Sequence, residues 1–560
     1  MRKGNAMFFA TRFVSSLEKV FCTPELPSER LDVVSGARGE TVAFQLACRA
    51  EDNLIVEFET VSPFGEAFSL REVGLVPCVL PSMPDDPYVL THTPGLFPDP
   101  LLPMENRRMR LSRGNWHALW CTVRIPEEME PGEYEVSFRI VTPQDLLIWK
   151  EPEMEHRTSI RVRVLPFRLP KQKLLSINWF YADCVSIRHN TPCWTERFWK
   201  LLEQYFRNMT AHGNNVLYTP LWSVPLDTAV GRERPTAQLL EIEYREGEYS
   251  FDFSRLERWI DTARACGFEF FEMSHAFTQW GAKATPKIVV RVNGVEEKRF
   301  GWHVAADDPE YRNFLTRLME RLIPFFREKG LTPENTFFHV SDEPSENVLD
   351  SYRAASVLLR GLIGDYPVID ALSHVEFFRA GLIRRPIPTT EVIEDFMKEE
   401  IEQRWVYYCG NWSSGVPNRQ FGMPSARNRV LGVLLYVYRL DGFLNWGYNF
   451  WFTQHSLEWD IDPYQVTDAG RAFCGGGSFM VYPGKDGPVD SLHYEVFAEG
   501  LQDLRVLQLL ESRIGRDAVL TMIQENVGYP VTMFRYPRES AWLLDLRDRV
   551  NRKLVETERS

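Results

Sequence analysis

The chain lacks any Cys-x-x-Cys pair, any apolar run long enough to span a bilayer, and any excess of positive charge. Each absence removes a class of protein. The nine cysteines stand singly, at positions 22, 48, 78, 121, 184, 193, 266, 409 and 474, so a structural zinc or dithiol redox site has no spacing to build on. Scattered thiols in a chain this large read as buried apolar residues of a reducing compartment, and no disulfide is expected. The opening "MRKGNAMFFATRFVSSLEKVF" carries two basic residues, but Arg12 and Lys19 break the apolar stretch and no small-residue cleavage site follows. A secretory leader is not expected, and the protein reads as cytoplasmic. No stretch approaches the ~18 apolar residues of a membrane helix. The formal charge of −13 argues against nucleic acid or an anionic membrane as partner, because phosphate binding needs clustered Lys and Arg.

What is present points to a large soluble protein. At 560 residues the chain exceeds one ordinary core, so two or three domains are expected. Apolar residues make up 44% and charged residues 25%, as in globular proteins generally. Residues 1–168 read as all-β. "TVAFQLACRA" (41–50), "NWHALWCTVRIP" (115–126), "GEYEVSFRIV" (132–141) and "RTSIRVRVLPF" (157–167) alternate with period two, punctuated by Pro and Gly. That spacing predicts a β-sandwich, with "LPFRLPKQKL" (165–174) as the linker beyond it.

From residue 172 to about 480 the pattern becomes strand, helix, strand. Strands are expected at 176–184, 215–222, 268–277, 335–343, 366–374, 387–393, 404–412 and 442–451, with helical segments between most of them. One such segment, "RNFLTRLMERLIPFFREKG", stops at Gly330. Eight units of this kind predict a (β/α)8 TIM-like barrel, whose chemistry sits at the C-terminal ends of the strands. Two insertions, "LLEIEYREGEYSFDF" and "KIVVRVNGVEEKRFGWH", each carry a Gly turn between alternating strands and read as hairpins. Residues 481–560 carry helical periodicity and are expected to pack on the barrel.

One short stretch concentrates the chemistry. "FFHVSDEPSE" (337–346) places adjacent carboxylates, Asp342 and Glu343, where an apolar strand stops. Pro344 removes an N–H and biases Glu343 toward an extended backbone, which ends the ladder. The other strand ends bring Trp179, Tyr181, His275, Tyr408, Trp412, Asn445, Trp446, Tyr448 and Trp451 to the same mouth. Aromatic faces stack on sugar rings while neutral donors and acceptors hold hydroxyls, so these nine are candidate carbohydrate-binding residues. Each is equally suited to filling the interior.

With these residues in place, the chain resembles glycoside hydrolase family 123. The resemblance rests on "HVSDEP" (339–344), "DGFLNWGYNFW" (441–451) and "YPGKDGPVDSLHYEVFAEGLQDLRVL" (482–507). "RGETVAFQLA" (38–47), "GLFPDPLLP" (95–103) and "ALWCTVRIPEEMEPGEYEV" (118–136) extend it over nearly the whole chain. It implies a retaining β-N-acetylgalactosaminidase-like enzyme without cofactor or metal, acting on a glycan with terminal β-N-acetylhexosamine. The nucleophile would be the substrate's own 2-acetamido group, with Asp342 orienting that amide and Glu343 serving as general acid/base. Adjacent acids approach a sugar from one side, whereas ordinary retaining and inverting pairs flank the anomeric carbon. Two close like charges push one pKa up, which would keep Glu343 protonated near neutral pH.

Rival chemistries have weaker signatures. His275, His339 and His374 fall near strand ends, but no HxH or HExxH spacing connects them. No GxSxG elbow occurs. A non-catalytic carbohydrate-binding protein would need the aromatics but not the acids. A glycosidase for N-acetylglucosamine or a plain hexose would keep both.

Overall fold

A computed structural model of the chain describes residues 9–143, 154–408 and 414–559. They fall into two compact units, Met1–Gln172 with Pro417–Tyr438 and Val489–Ser560, and Lys173–Val416 with Arg439–Pro488.

The first unit opens with ten strands in two five-stranded sheets. One sheet runs Phe9–Ser15, Thr41–Ala50, Trp116–Arg124, Phe68–Cys78, Gly95–Pro103, and every neighbouring pair in it is antiparallel. The other runs Val33–Arg38, Glu155–Arg168, Gly132–Val141, Leu54–Val61, Arg108–Leu111, with its first pair parallel. Alternation decides which side chains go inward. In Gly132–Val141, Val136, Phe138 and Ile140 enter a core shared with Phe44, Leu119 and Val162. Arg139 points outward to Glu59 at 2.7 Å and Glu155 at 2.9 Å.

The same unit holds the C-terminal helices, within Val489–Ser560, whereas the sequence expectation set 481–560 apart as a third segment. Leu492–Ile514 starts at Ser491, whose Oγ accepts the Tyr494 N–H at 3.1 Å, and stops at Gly515 with φ of 81°. It packs on Leu431–Val437 backbone to backbone. A Cβ on Gly432 would stand 1.8 Å from the Gly500 carbonyl oxygen, so glycine is required there. A buried chain of alternating charges ties these helices to the sheets. Arg547 bonds Glu40 at 2.6 Å and Asp503 at 2.6 Å, and Arg429 bonds Asp503 at 2.7 Å and Glu499 at 2.9 Å.

The second unit is built on eight short parallel strands: β1 (Leu175–Asn178), β2 (Val216–Thr219), β3 (Phe270–Met273), β4 (Thr336–Phe337), β5 (Ile369–Ala371), β6 (Arg385–Ile387), β7 (Trp405–Tyr408) and β8 (Gly442–Asn445). Six form one sheet in the order β4-β3-β2-β1-β8-β7, and β5 pairs with β6. Parallel bridges Phe338↔Val368 and Thr389↔Tyr407 connect β4 to β5 and β6 to β7. Each strand thus has a parallel neighbour on both sides. The strands are shorter than the apolar runs that announced them, because those runs continue as loops past the strand ends. Between β3 and β4, Pro309–Glu328 is capped by Asp308, which accepts the Glu310 N–H at 2.8 Å. Its Tyr311, Phe314, Leu318 and Leu322 form one buried stripe, and Gly330 follows with φ of 66°. The two expected hairpins do form, but they join. Glu243↔Arg291 and Tyr244↔Val292 pair in parallel, giving one four-stranded sheet.

Among the described residues eight cysteines are free thiols, and no helix is long and apolar enough to cross a membrane.

Candidate functional site

A cavity of about 220 Å³ opens at the C-terminal ends of these strands, and Asp342, Glu343 and Asp227 are its acids. Trp179, Tyr181, Trp280, Tyr407, Trp446 and Phe473 supply aromatic wall. The volume lies below the ~300–1,000 Å³ of typical ligand pockets, which suits one ring-sized ligand rather than an extended chain. A larger groove, about 510 Å³, lies over the joined hairpins, lined by Trp194, Glu241, Arg255 and Arg291. Its Glu241 and Arg255 bond each other at 2.5 Å and Arg291 meets Glu296 at 3.5 Å, so both of its arginines are already paired.

The acid pair lies beyond the end of β4, on a segment stitched to β5. Asp370 accepts the Val340 N–H at 3.0 Å, His339 Nδ1 at 2.9 Å and the Tyr352 hydroxyl at 2.6 Å. The Glu343 N–H donates to the Ala371 carbonyl at 3.0 Å, and the Trp280 N–H to the Asp342 carbonyl at 2.8 Å. Pro344 was expected to bias Glu343 toward an extended backbone. Its φ is instead +41°, in the left-handed region. That turn breaks the alternation that would send neighbouring side chains to opposite faces, and both carboxylates meet one pocket. Tyr407 donates its hydroxyl hydrogen bond to Glu343 Oε1.

The sequence expectation put a raised pKa on Glu343; in the structure Asp342 carries one. Asp342 keeps some exposed surface, yet protein crowds it so closely that its charge is poorly hydrated. Burial, then repulsion from Glu343, hold its carboxyl well above the ordinary aspartate value. Below the pair, fully buried His339 bridges Asp370 and Glu272. Burial pulls the imidazole down, but the two carboxylates outweigh it and bring His339 up to about 9. Trp179 Nε1 donates to the same Glu272 at 2.9 Å, which fixes the indole in the cavity wall.

Among the described residues, His275, His339 and Asp370 bring ligand-type atoms within 4.8 Å of one another. They fit a metal poorly. The two imidazoles stack at 4.1 Å with 21° between planes, so one ion cannot lie in the plane of both rings at bonding distance. Both nitrogens of His339 are already committed to carboxylates.

Of the candidate binding residues, Trp179, Tyr181 and Trp446 line the cavity with the acid pair. Tyr181 is locked by its hydroxyl bond to the Trp446 carbonyl at 2.7 Å and by Arg234, 4.7 Å above its ring. Arg234 is itself held by buried Asp183 at 2.8 Å. Five others are not among the residues lining this cavity. His275 is buried, hydrogen-bonded to the Tyr218 hydroxyl at 2.9 Å. Tyr408 packs edge-on to Phe443 at 4.9 Å, because alternation along β7 presents Tyr407 instead. Asn445 is buried and bonded to Asn178 and to the Gly447 carbonyl. Tyr448 is buried with its hydroxyl on Asn208 at 2.8 Å, and Trp451 is buried with Nε1 on the Val481 carbonyl at 3.0 Å. Trp412 lies outside the described residues.

The cavity is also lined by Asp227, Trp280, Tyr407, Gln454, His455 and Phe473, none of them among the candidate binding residues. Four cavity residues have left-handed backbones: Asp227 (φ 40°), Trp280 (62°), Glu343 (41°) and His455 (59°). Strain held at several points around one cavity marks a functional site. No sequence signal announces it, since none of the four is glycine.

An aromatic cavity with paired acids on loops beyond parallel strands is the arrangement of a carbohydrate-cleaving enzyme, and the comparisons agree. The family description "Glycoside hydrolase 123, catalytic domain" matches residues 179–510. The chain belongs to glycoside hydrolase family 123. A family 123 glycoside hydrolase from Clostridium perfringens, whose structural analysis concerned glycolipid glycan hydrolysis, matches with a TM-score of 0.72 at 13% identity, covering 98% of both chains. At that identity the likeness is one of fold. A family 5 mannosidase from Rhizomucor miehei covers 60% of this chain and 94% of its own, with TM-score 0.35 at 13% identity. A β-glucuronidase from Bifidobacterium dentium covers 88% and 66%, with TM-score 0.32 at 9% identity, and neither of these two bears on the argument. No curated protein matches the chain.

Proposed function

We propose that this enzyme removes β-linked N-acetylhexosamine, N-acetylgalactosamine first among the candidates, with retention and by substrate-assisted catalysis. The eight strands are read as a (β/α)8 barrel and the two N-terminal sheets as a sandwich. The observation that carries the proposal is the left-handed Glu343, which brings two sequence-adjacent carboxylates to one side of a ring-sized cavity. Acids so arranged do not flank an anomeric carbon as an ordinary retaining pair does. They suit a reaction in which one reaches the glycosidic oxygen and the other the acetamide nitrogen.

Glu343, steadied by Tyr407, protonates the departing oxygen while the acetamide oxygen attacks C1 and an oxazolinium ion forms. Asp342 accepts the amide N–H and stabilises the positive charge developing on that nitrogen. Burial favours the protonated form of Asp342 before substrate binds, and the cationic transition state draws it toward the ionised form. Glu343 then deprotonates the water that opens the intermediate, releasing the β-anomer. Glycan chains of glycolipids are the natural source to test, given the relative from Clostridium perfringens.

The test is a panel of nitrophenyl β-glycosides of N-acetylgalactosamine, N-acetylglucosamine and galactose, with the first-formed anomer read by proton NMR. Turnover of the acetamido sugars with β-anomer appearing first is expected. Initial α-anomer contradicts retention, and galactoside as the best substrate contradicts the acetamido nucleophile.

A further inference from the structure

The mechanism leaves one cavity acid without a task. Asp227 follows β2 in "PLDTAV", and its side chain is 15% exposed. Its Oδ1 lies 3.6 Å from His455 Nδ1, too far for a hydrogen bond. Asp227 Oδ2 and His455 Nδ1 are both buried atoms with no hydrogen-bond partner in the protein. Such orphans are rare and costly unless something outside the chain completes them.

The backbone holds this pair in place at the expense of strain. Asp227, His455 and Ser456 have φ of 40°, 59° and 52°. Their loops, after β2 and after β8, are strapped together: Ser456 Oγ donates to the Asp227 carbonyl at 2.8 Å and the Ala229 N–H to the His455 carbonyl at 3.1 Å. Gln279 Nε2 adds a bond to the Thr228 carbonyl at 3.0 Å. Trp280 stands edge-on to His455 at 5.5 Å, an aromatic surface beside the polar pair. A rigid carboxylate and imidazole, both short of partners, therefore border the cavity that holds Asp342 and Glu343. With the glycosidic oxygen and the acetamide already assigned, the donors a sugar ring has left are its hydroxyls. Neutral hydroxyls both donate and accept, which is what a free carboxylate oxygen beside a free imidazole nitrogen can satisfy.

We infer that Asp227, with His455, is a specificity-determining residue that holds adjacent ring hydroxyls of the bound sugar, on the side remote from the bond that breaks. The inference rests on the reading that this cavity holds the sugar being cleaved. Burial raises the Asp227 carboxyl to about 6, and a hydroxyl donor favours its ionised form. This pair, rather than the catalytic acids, then discriminates among epimers at C3 and C4.

The experiment is a cycle between substrate hydroxyls and the residue. The glycoside that wild-type enzyme turns over best, whatever its C2 substituent, is remade without its 3-, 4- or 6-hydroxyl. Values of kcat/KM are measured for wild type, Asp227→Ala, Asp227→Asn and His455→Ala, with melting curves to verify folding. Removing the 3- or 4-hydroxyl should cost wild type roughly 100-fold, the scale of a hydrogen bond to a charged group. Asp227→Ala should lose about as much on the intact sugar, and little more on the deoxy sugar. Asp227→Asn, which keeps one acceptor oxygen, should recover part of the loss. Binding of the free deoxy sugars by calorimetry should show the same pattern. Strictly additive losses at every hydroxyl, or wild-type kcat/KM in a folded Asp227→Ala, overturn the inference. A plain hexose as the best substrate would instead overturn the acetamido nucleophile, while the hydroxyl cycle still reads on Asp227.

Discussion

Two groups of secluded charges in this molecule are built on opposite rules. In the first unit Glu40, Arg547, Asp503, Arg429 and Glu499 alternate in sign, and every link is a hydrogen-bonded ion pair between 2.6 and 2.9 Å. Even the end members are closed off: the Ala37 N–H donates to Glu40 at 2.7 Å and Ser16 Oγ to Glu499 at 2.8 Å. In the second unit Asp342, Glu343 and Asp227 share one cavity with no arginine or lysine among its lining residues. The first group ties helices to sheets and has no valence left for a ligand. The second gathers like charges, and within it Asp227 Oδ2 has no hydrogen-bond partner in the protein. The difference teaches how to separate structural from functional charge in an enzyme: satisfaction marks the former, and held frustration the latter.

The comparison breaks most visibly in activity. Glu343→Gln should lower kcat on a natural glycoside by ~10²–10⁴, the range for a lost general acid/base. A nitrophenyl glycoside, whose leaving group needs little protonation, should be spared most of that loss. Equal losses on both would remove Glu343 from the acid role.

Next comes the satisfied group. Arg429→Met strips Asp503 and Glu499 of their bridge and should cost about 3–5 kcal/mol, as for other broken buried pairs. Denaturant unfolding measures it, and a cost below ~1 kcal/mol would mean that the chain of charges holds nothing together.

His339 sharpens the contrast through pH. Its folded pKa lies above its unfolded one, so its stabilisation is complete below the ordinary histidine range and lost as pH rises through about 9. Asp503 has the opposite sign. Burial raises its carboxyl, but Arg429 and Arg547 outweigh that and hold it low, so its contribution is lost only as pH falls into the acid range. Melting temperatures from pH 5 to pH 10 should therefore show an alkaline decline that is smaller in His339→Gln. An unchanged decline in that variant would assign it to another group.

The smallest effect has the most diagnostic sign. Asp342 has a raised folded pKa, so the folded state loses stability as pH climbs above the ordinary aspartate range. Asp342→Asn removes that cost and should raise the melting temperature near neutral pH by a few degrees, roughly 1 kcal/mol, while activity collapses. Loss of both stability and activity would make Asp342 a structural acid.

The sequence made parts of this legible for definite reasons. Asp342 and Glu343 stood out because an apolar strand ended abruptly on two acids and a proline. Trp179, Tyr181 and Trp446 stood out as aromatics just past strand ends. Tyr407 was passed over for Tyr408 because β7 is buried on both faces, and an unbroken apolar strand carries no phase to say which tyrosine faces the cavity. Asp227 and His455 sit on loops without periodicity, in left-handed conformations that no glycine flagged. His275, Asn445, Tyr448 and Trp451 were read as ligand contacts, yet each is buried and makes a hydrogen bond within the interior. The helices at 492–514 and 540–559 were visible as helices, but an amphipathic face does not name what covers it.

The central claim is that the substrate supplies its own nucleophile, with Asp342 holding it. Two nitrophenyl glycosides identical except for a 2-acetamido or a 2-hydroxyl group test it directly in single-turnover kinetics of the wild-type enzyme. The acetamido sugar should react at least ~10³-fold faster, because the hydroxyl sugar forfeits the positioned internal nucleophile. In Asp342→Asn that preference should shrink sharply. Equal rates for the two sugars, or a glycosyl group trapped covalently on any carboxylate, would contradict it.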